Sequence, residues 1–576
     1  MSLAALESSV SALLARPQLA RAQAVGVMGD DLGADFTLRE TTAAEQALLE
    51  TSTPYGPILQ ELEVERSDEP PLKFSITNPP AFFWLALQMS QAFSSFLSAS
   101  LPGTLENDEK TSRVCLYMDD VKPGNNLRPD MGRTYYAFYY CLIELPAHWR
   151  NGLHGWLDLC FIQVSACQTI VGGISRLTEV ILDAVNWPIA FDVPEVRLAD
   201  GVRRYVFVFA IILSDAKAIQ QMLAVKGAGS YHPCAKCKAI LGRLPPSSFG
   251  DEYFQHYISA DPSLWDQYTI EEFAAACAEV KTAWTESRAR GEEVETSLGI
   301  SRDACLTSPL YRVPVSVYWD PMHCLWASGG LGQYEINQWL REVRRHGVPW
   351  ATLQGFVLQV KVPGPTKCNV QLEQRYVGGP TFHLRGFAAE MLVIVPWLIA
   401  FGDMVLAPGG LMFAHMACLR LLYDIQVIIM LGDAAHRIVG LLDQIVAAHH
   451  DLYLALYPRC MKPKLHFLRH LPGLIDYFKC VLTCFSGERH HKASKRMASF
   501  LYKNMATTLL RRSSVACLHD LVDESLFQEV TLGARAKRQR SRWTPLIRSL
   551  GFTPRVRSLS TERAAGACWQ LRLVQA

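Results

Sequence analysis

The stretch from 206 to 237 constrains the fold most, because it joins an apolar run, an acid, a helix-like segment and a cysteine pair. Residues 205–213 are β-branched and aromatic with almost no polar interruption, which is typical of a strand covered on both faces. Asp215 follows where that strand ends, the position at which α/β folds bind ligands and metals. The same carboxylate could instead cap the next helix, AKAIQQMLAV. Both roles for Asp215 stay open at this point.

Composition limits the class of protein. The chain has 576 residues, enough for roughly three to four domains, and its 49% hydrophobic and 19% charged residues predict an ordered globular protein. Because the net charge is only +1, any binding to nucleic acid must come from local basic patches. Sixteen cysteines, one CxxC pair and no secretory signal favour a reducing compartment with free thiols. The most apolar stretch, 391–407, contains Pro396 and Asp403 and predicts a buried helix pair, so we expect no membrane partner.

The middle of the chain predicts strands and a helix in a definite order. Strands occupy 114–120, 134–145 and 156–167, a helix occupies 173–185, and a fourth strand occupies 205–213. Short connections make the first three strands an antiparallel meander, and the helical crossover lets the fourth run parallel to the first. This topology resembles the ribonuclease-H-like fold. The predicted fold class is therefore α/β with a ribonuclease-H-like core.

Acids stand at the ends of two strands that this topology makes neighbours. Asp119 or Asp120 ends the first strand, and Asp215 ends the fourth. Converging carboxylates repel each other unless a cation neutralises them, so such a pair predicts a site for Mg²⁺ or Mn²⁺. Glu488 is our candidate for a third acid, because it opens the basic segment ERHHKASKR. As alternatives, the first-strand acids could belong to a turn, and Glu488 could be an exposed helix start.

Cysteines and histidines supply a second candidate site. Cys234 and Cys237 form half of a tetrahedral zinc site, and His466 and His470 could complete it, because residues four apart share one face of a helix. Such a site would join a large insertion back to the core. The histidines could also be ordinary polar residues of that helix.

The segment DPMHC offers rivals to both sites. His323 and Cys324 are alternative zinc ligands. Asp320 could be an acid of the metal site, or could cap the helix that follows it.

These features divide the chain into segments. We predict an N-terminal helical subdomain with an extended connector (1–110), the first part of the core (111–232), a zinc-stapled helical insertion (233–460), the final core helices with the third acid (461–530) and a basic tail (531–576). The tail carries ten lysines and arginines against one glutamate, a balance typical of a solvated tail or a nuclear signal.

The order of several short blocks adds a family resemblance. The blocks are MDDVKPGNNLRPD, SDAKAIQQMLAVKGAGSYHPCAKC, DPMHC, GFAAEM, HFLRHLPGLIDYF and FSGER. Together, over roughly residues 75–505, they resemble the DDE transposase core of CACTA-type DNA transposons. The PGN, KGAG and CxxC blocks are most similar to transposon-derived proteins of dinoflagellate genomes.

The resemblance implies a nuclease of transposable elements, acting in the nucleus as a homo-oligomer on transposon DNA ends. Its activity would be DNA cleavage and strand transfer with Mg²⁺ or Mn²⁺, supported by a structural zinc ion. Matched residue by residue, the acids are Asp119, Asp215 and Glu488, and the zinc ligands are Cys234, Cys237, His466 and His470. Glu390 in GFAAEM and Asp320 are rivals for the third acid.

Two other functions stay open. The chain shows no N-terminal DNA-binding zinc finger and no strong positive balance in its core, so a degenerate, non-catalytic copy is an alternative. Such a protein would bind DNA or serve as a scaffold and would keep the zinc site. A redox role for the CxxC pair would require an exposed thiol of low pKa at the start of a helix.

Overall fold

A computed structural model of the chain describes residues 46–527, except 47, 105–107, 124–133, 194–201, 228–229, 240–265, 328, 360–375, 378–382, 385–387, 459, 461, 499–500, 502–503 and 523. The helices predicted within 1–45 and the basic tail 531–576 lie outside these residues. Most of the loop predicted after the first strand also lies outside them.

The fold is α/β and is built on a mixed sheet of nine strands. The strands are β1 Leu59–Val64, β2 Leu72–Thr77, β3 Gly103–Thr104, β4 Glu109–Val121, β5 Tyr135–Leu142, β6 Leu157–Gln163, β7 Ile189–Asp192, β8 Arg204–Ser214 and β9 Val317–Trp319. Their order is β1-β2-β6-β5-β4-β8-β7, with β3 paired to β4 and β9 paired to β8. A separate hairpin pairs β10, Tyr376–Val377, with β11, His383–Leu384.

The helices are interleaved with the strands in the N-terminal half of the chain and dominate the C-terminal half. They are α1 Pro79–Met89, α2 Gln91–Ser100, α3 Ala147–Arg150, α4 Val164–Cys167, α5 Gly173–Val185, α6 Ala216–Leu223, α7 Ile270–Glu286, α8 Arg288–Leu298, α9 Pro321–Leu325, α10 Leu331–Arg345, α11 Trp350–Gln359, α12 Ala388–Phe401, α13 Phe413–Met430, α14 Val439–Leu456, α15 Pro463–Phe478, α16 Phe485–Ala498 and α17 Met505–Val522.

The centre of the sheet matches the predicted topology. Strands β4, β5 and β6 form an antiparallel meander, and β8 runs parallel to β4. Helix α5 precedes β8 and supplies the crossover. Strand β9 then adds parallel to the C-terminal half of β8. The predicted meander and the parallel fourth strand are therefore confirmed.

The segment predicted as an extended connector belongs to the sheet. Strand β1 pairs with β2, and β2 joins β6 through Ile76 and Cys160. Phe74 and Ile76 are buried, because alternate side chains of β2 face the core. Pro70 and Pro71 lie between the two strands, where a missing N–H group costs no ladder hydrogen bond.

The apolar stretch 79–100 forms two helices, α1 and α2, rather than one. Ser90 has an extended backbone between α1 and α2, and its hydroxyl accepts a hydrogen bond from the Phe93 amide at 3.1 Å. The serine ends one helix and caps the next, because its side chain satisfies a donor of the first turn. Both helices bury large apolar side chains against the sheet region.

The C-terminal helices fall into an insertion and a return to the sheet. Helices α12 and α13 contact each other, and both contact α10. The stretches Ala388–Gly409 and Phe413–Met430 are also long and apolar enough to cross a membrane, a test that core helices pass as well. Helix α15 then packs on β9, α16 on β4, and α17 on β6 and β2. The chain thus comes back to the sheet edge that carries the acids.

Candidate functional site

The ends of β4 and β8 bring Asp119 and Asp215 to one level of the sheet. These strands are parallel, and their last paired residues are Tyr117 and Leu213. Asp119 and Asp215 each lie two positions beyond this last β4–β8 pair, so the alternation of side chains places both on the same side of the sheet. Neighbouring strands are about 4.8 Å apart, which makes the two carboxylates neighbours. The charge of Asp215 accordingly contributes to a raised pKa of Asp119.

Asp119 is the acid of the first strand that faces inward. Its carboxylate accepts hydrogen bonds from the Tyr117 hydroxyl at 3.0 Å and from the Asp120 amide at 2.6 Å. Burial and the charge of Asp215 outweigh these bonds and raise the pKa of Asp119 to about 7. Asp120 is exposed and pairs with Lys122 at 3.2 Å. Of the two predicted candidates, Asp119 is therefore the one that reaches the site.

Asp215 acts as a helix cap in the structure. One of its oxygens, Oδ1, accepts a hydrogen bond from the Ala218 amide at 2.6 Å at the start of α6. A carboxylate has two oxygens with about four lone-pair positions, so this bond leaves acceptor capacity. Capping and cation binding, which the sequence left as alternatives for Asp215, are chemically compatible.

Glu488 lies on the first turn of α16, close to β4 because of the preceding glycine. A Cβ atom at Gly487 would lie 2.7 Å from the ring of Tyr117, which is fully buried and cannot move aside. Only glycine lets the helix approach the strand this closely. Burial raises the pKa of Glu488, and the charges of Asp320 and Asp215 raise it further. Glu488 therefore shares the electrostatic environment of the two strand acids.

Asp320 positions other groups rather than opening toward a ligand. Its buried carboxylate accepts bonds from the amides of Met322 at 3.1 Å, His323 at 3.0 Å and Cys484 at 3.0 Å. It also accepts a bond from Nδ1 of His323 at 2.5 Å. Burial raises the pKa of Asp320, but these donors outweigh burial and hold it below its usual value. Asp320 caps α9, as one predicted alternative stated, and ties the end of β9 to the start of α16.

Two histidines complete the surroundings of the acids. Nε2 of His323 lies 3.5 Å from Oε1 of Glu488, so His323 links Asp320 to Glu488. Burial lowers the pKa of His323, but the Asp320 bond and the nearby acids raise it overall. Nδ1 of His491 lies 3.6 Å from Oδ2 of Asp119.

Sequence analysis treated His323 only as a rival zinc ligand and did not single out His491. Helical spacing could have found both. His323 lies three residues after the capping Asp320, and His491 lies three residues after Glu488. Each histidine therefore shares a helix face with the acid that precedes it.

The structure describes three groups of histidine, cysteine or acid side chains whose ligand atoms all lie within 4.8 Å of one another. They are Cys234, Cys237, His466 and His470, then Asp320, His323 and Cys484, then Glu335, Cys418 and His449. Asp119, Asp215 and Glu488 are spaced more widely than that. A two-metal site tolerates wider spacing, since ions about 4 Å apart with bonds of about 2.1 Å can be bound by oxygens roughly 8 Å apart.

The predicted cysteines and histidines converge in the core. Sγ of Cys234 lies 3.4 Å from Nε2 of His470, Sγ of Cys237 lies 3.2 Å from Nε2 of His466, and the two Nε2 atoms are 3.0 Å apart. A tetrahedral zinc ion sets such atoms about 3.3–3.8 Å apart. All four side chains are buried, and the group could hold a metal ion such as zinc.

The pKa shifts of His470 and Cys234 suit metal binding, whereas burial and the neighbouring Cys234 raise the pKa of Cys237. Burial lowers the pKa of His470 to about 4, so its ring is neutral at physiological pH, as a ligand must be. Burial opposes ionisation of Cys234, but the Cys237 hydrogen bond and the two histidines lower its pKa well below the usual value. The cysteines are 2% and 0% exposed, which argues against the redox alternative, because thiol exchange requires access.

Lys236, between the two cysteines, fastens the CxxC loop to the sheet. Its buried ammonium donates to the carbonyl oxygens of Pro314 at 2.9 Å, Val315 at 3.2 Å and Val317 at 3.0 Å. Burial lowers the pKa of Lys236 to about 8. These carbonyls lead into β9, so the cysteine loop is linked to the strand that ends at Asp320. Sequence analysis missed this role, because a lone lysine in a loop carries no signal.

The remaining rivals lie elsewhere. Cys324 is buried on α9, where burial raises its pKa to about 12. Glu390 lies on the first turn of α12, which packs against α10, α11 and α13 of the insertion. The cluster that could hold a metal excludes Cys324, and the contacts of α12 assign Glu390 to the insertion.

Comparison of the chain with models of known protein families and with curated proteins found no match. The geometry combines an open acidic site at the strand ends with a closed, buried group of two cysteines and two histidines.

Proposed function

We propose that the sheet is a ribonuclease-H-like core and that the protein is a DDE transposase-like enzyme, which cleaves and transfers DNA strands with divalent metal ions. The observation that carries this proposal is the level position of Asp119 and Asp215 on adjacent parallel strands. Glu488 is held nearby through Gly487 and Asp320. Carboxylates from a central sheet and a following helix are the ligands that Mg²⁺ and Mn²⁺ prefer.

The metal ions would bind to Asp119, Asp215 and Glu488, and when bound they would activate water or a 3′-hydroxyl and stabilise the leaving oxygen. The protein residues prepare this site. Asp119 is partly protonated near pH 7 and gives up its proton when a cation binds. Nε2 of His323 lies 3.5 Å from Glu488, and the nearby acids favour the charged form of the ring, which would keep that carboxylate oriented.

The DNA partner is supported by the surface of α16. Arg489, Lys492, Lys495 and Arg496 are exposed on the helix that carries Glu488. Phosphate groups are attracted to such a local patch even where the net charge of the chain is near zero. Transposon ends as the target, a homo-oligomer on DNA and a nuclear location stay predictions from the family resemblance.

A zinc ion would link the insertion to the core. Cys234 and Cys237 are fastened to β9 by Lys236, while His466 and His470 lie on α15, which packs on β9 and α9. The ion would fix α15 against the strand that ends at Asp320. Asp320 in turn holds the start of α16, so this link supports the position of Glu488.

A nicking experiment tests the proposed function. Labelled duplex DNA is incubated with full-length protein and Mn²⁺, and single-strand breaks are counted for wild type, Asp215→Ala and Asp120→Ala. We expect nicking by wild type and by Asp120→Ala, whose side chain faces solvent, and loss of at least about 100-fold in Asp215→Ala. Equal nicking by Asp215→Ala would refute the assignment.

A second candidate is a non-catalytic, DNA-binding scaffold that keeps the zinc site. Two observations favour it. One oxygen of Asp215 accepts the hydrogen bond that caps α6. The carboxylate oxygens of the three acids lie farther apart than the ligand atoms of the cysteine and histidine group. It predicts salt-dependent DNA binding, measured by a gel shift, without Mn²⁺-dependent breaks in any variant. The same samples therefore separate the two functions.

A further inference from the structure

A third cluster of ligand-type side chains lies inside the helical insertion, away from both sites described above. Glu335 comes from α10, Cys418 from α13 and His449 from α14. Their ligand atoms lie within 4.8 Å of one another, and all three side chains are buried. Helix α13 contacts both α10 and α14. The cluster therefore sits where three helices meet.

Glu335 is a carboxyl group in a site that does not fully satisfy it. Its side chain has no exposed surface, Oε2 lies 2.8 Å from Nε2 of His449, and Oε1 is buried without a hydrogen-bond partner. A buried carboxylate with one unpaired oxygen is costly unless a proton or a cation neutralises it. A cation bound between these three side chains would supply a partner for that oxygen.

The histidine next in sequence shows how the ring of His449 is oriented. Nε2 of His450 donates to the Leu465 carbonyl at 2.7 Å. Nδ1 of His449 lies 3.4 Å from Nδ1 of His450, so one nitrogen of each ring faces the other. The remaining nitrogen of His449, Nε2, faces the carboxylate of Glu335. Nε2 is therefore the atom of His449 that points into the cluster.

We propose that Glu335, Cys418 and His449 bind a second zinc ion at the centre of the helical insertion. The ion would bind Nε2 of His449 and the thiolate of Cys418, and it would satisfy the oxygen of Glu335 that has no hydrogen-bond partner. Both carboxylate oxygens, one thiolate and one imidazole make four donor atoms, the number that zinc prefers. A mixed set with a thiolate selects zinc over Mg²⁺.

The surroundings of the cluster are those of a supported metal site. The other ring nitrogen of His449 lies 3.4 Å from Nδ1 of His450, whose Nε2 donates to the carbonyl of Leu465. Such outer contacts orient metal-binding histidines. Leu465 directly precedes His466 of the first zinc group, so the second site would connect the insertion to the same helix, α15.

Metal analysis of the full-length protein tests this inference. Protein produced with zinc in the medium and purified without chelator is assayed for metal per chain by mass spectrometry. We expect two zinc ions in wild type and in Cys277→Ala, a matched buried cysteine on α7. We expect a two-fold lower content in Cys418→Ala and in Glu335→Gln. One zinc ion in wild type, or two in both variants, would overturn the proposal.

X-ray absorption of wild-type protein keeps the test decisive if the variants fail to fold. Two sites with three cysteines between them predict an average of about 1.5 sulfur ligands per zinc. The cysteine and histidine group alone predicts about two sulfur ligands and one ion per chain, which would contradict a second site. Because both measurements count metal rather than DNA breaks, their outcome is independent of the proposed nuclease activity.

Discussion

The cysteine and histidine group and the acids at the strand ends differ in how closely the fold brings their ligand atoms together. The cysteine and histidine group brings ligand atoms from residues more than 200 positions apart to 3.2–3.4 Å in a buried position. The acids at the strand ends are level in the sheet, yet their ligand atoms are not all within 4.8 Å of one another. Neutral imidazoles and thiols can be packed together without a metal, whereas carboxylates repel each other. The fold thus builds the closed site, whereas the proposed acidic site would need a cation to draw its carboxylates together.

Removing a ligand of the closed site should have the largest effect. We expect Cys237→Ala to lose zinc and to lower the free energy of unfolding by several kcal/mol, because structural zinc binding contributes about 10 kcal/mol or more. Zinc content and thermal unfolding measure this change. Cys277→Ala, which removes a buried thiol outside any cluster, should keep its zinc, and an equal loss in both variants would remove the zinc assignment.

The pH dependence of stability should reveal the open site. The pKa of Asp119 is about 7 in the folded protein and 3.8 for an unperturbed group, so the folded state binds the extra proton between pH 4 and pH 7. Stability of the metal-free protein should therefore fall as pH rises through this window, by up to about 4 kcal/mol. Denaturant unfolding of Asp119→Asn should lack this decline, and Mn²⁺ should reduce it in wild type. Parallel pH profiles for the two proteins would show that Asp119 is not the responsible group.

Moving α16 should damage only the open site. Gly487→Ala places a methyl group against the ring of Tyr117, so we expect Glu488 to shift and Mn²⁺ affinity to fall about ten-fold, equivalent to about 1.4 kcal/mol. Calorimetric titration with Mn²⁺ measures the affinity. Gly473→Ala on α15, where a Cβ atom meets nothing within 4 Å, is the matched control. Unchanged affinity in Gly487→Ala would mean that the approach of α16 does not matter for the metal.

The smallest effect is expected for His323. His323→Gln removes the positive charge that lowers the pKa of Glu488, so that carboxyl group should hold its proton to higher pH. We expect Mn²⁺ affinity to weaken about two- to five-fold at pH 6.5 and to recover by pH 8. Electron paramagnetic resonance of free Mn²⁺ at the two pH values measures it. A pH-independent loss would instead indicate a structural role.

Much of the fold and of the two sites could be predicted where the signal is local. The apolar run before Asp215 and the alternating strands of the meander predict their own pairing, and helical spacing predicts that His466 and His470 share a face. Strands β1 and β2 were predicted as a connector, because the prolines between them dominate the local pattern. Strand β2 joins the main sheet through β6, about 80 residues later in the chain.

Other residues have roles that depend on contacts with distant parts of the chain. Gly487 allows α16 to approach the ring of Tyr117, and Lys236 donates to three carbonyl groups near β9. No short sequence motif predicts these contacts. The cluster of Glu335, Cys418 and His449 joins three helices with no characteristic spacing between the residues. Sequence patterns identify residues that act with near neighbours, and packing decides which distant residues act together.

Anomalous diffraction from crystals grown with Mn²⁺ shows whether the three acids bind metal, because it locates ions at both kinds of site. We expect manganese peaks about 4 Å apart between Asp119, Asp215 and Glu488. We also expect a zinc peak at Cys234, Cys237, His466 and His470. A zinc peak without manganese at the acids would contradict the nuclease assignment and would favour the non-catalytic scaffold.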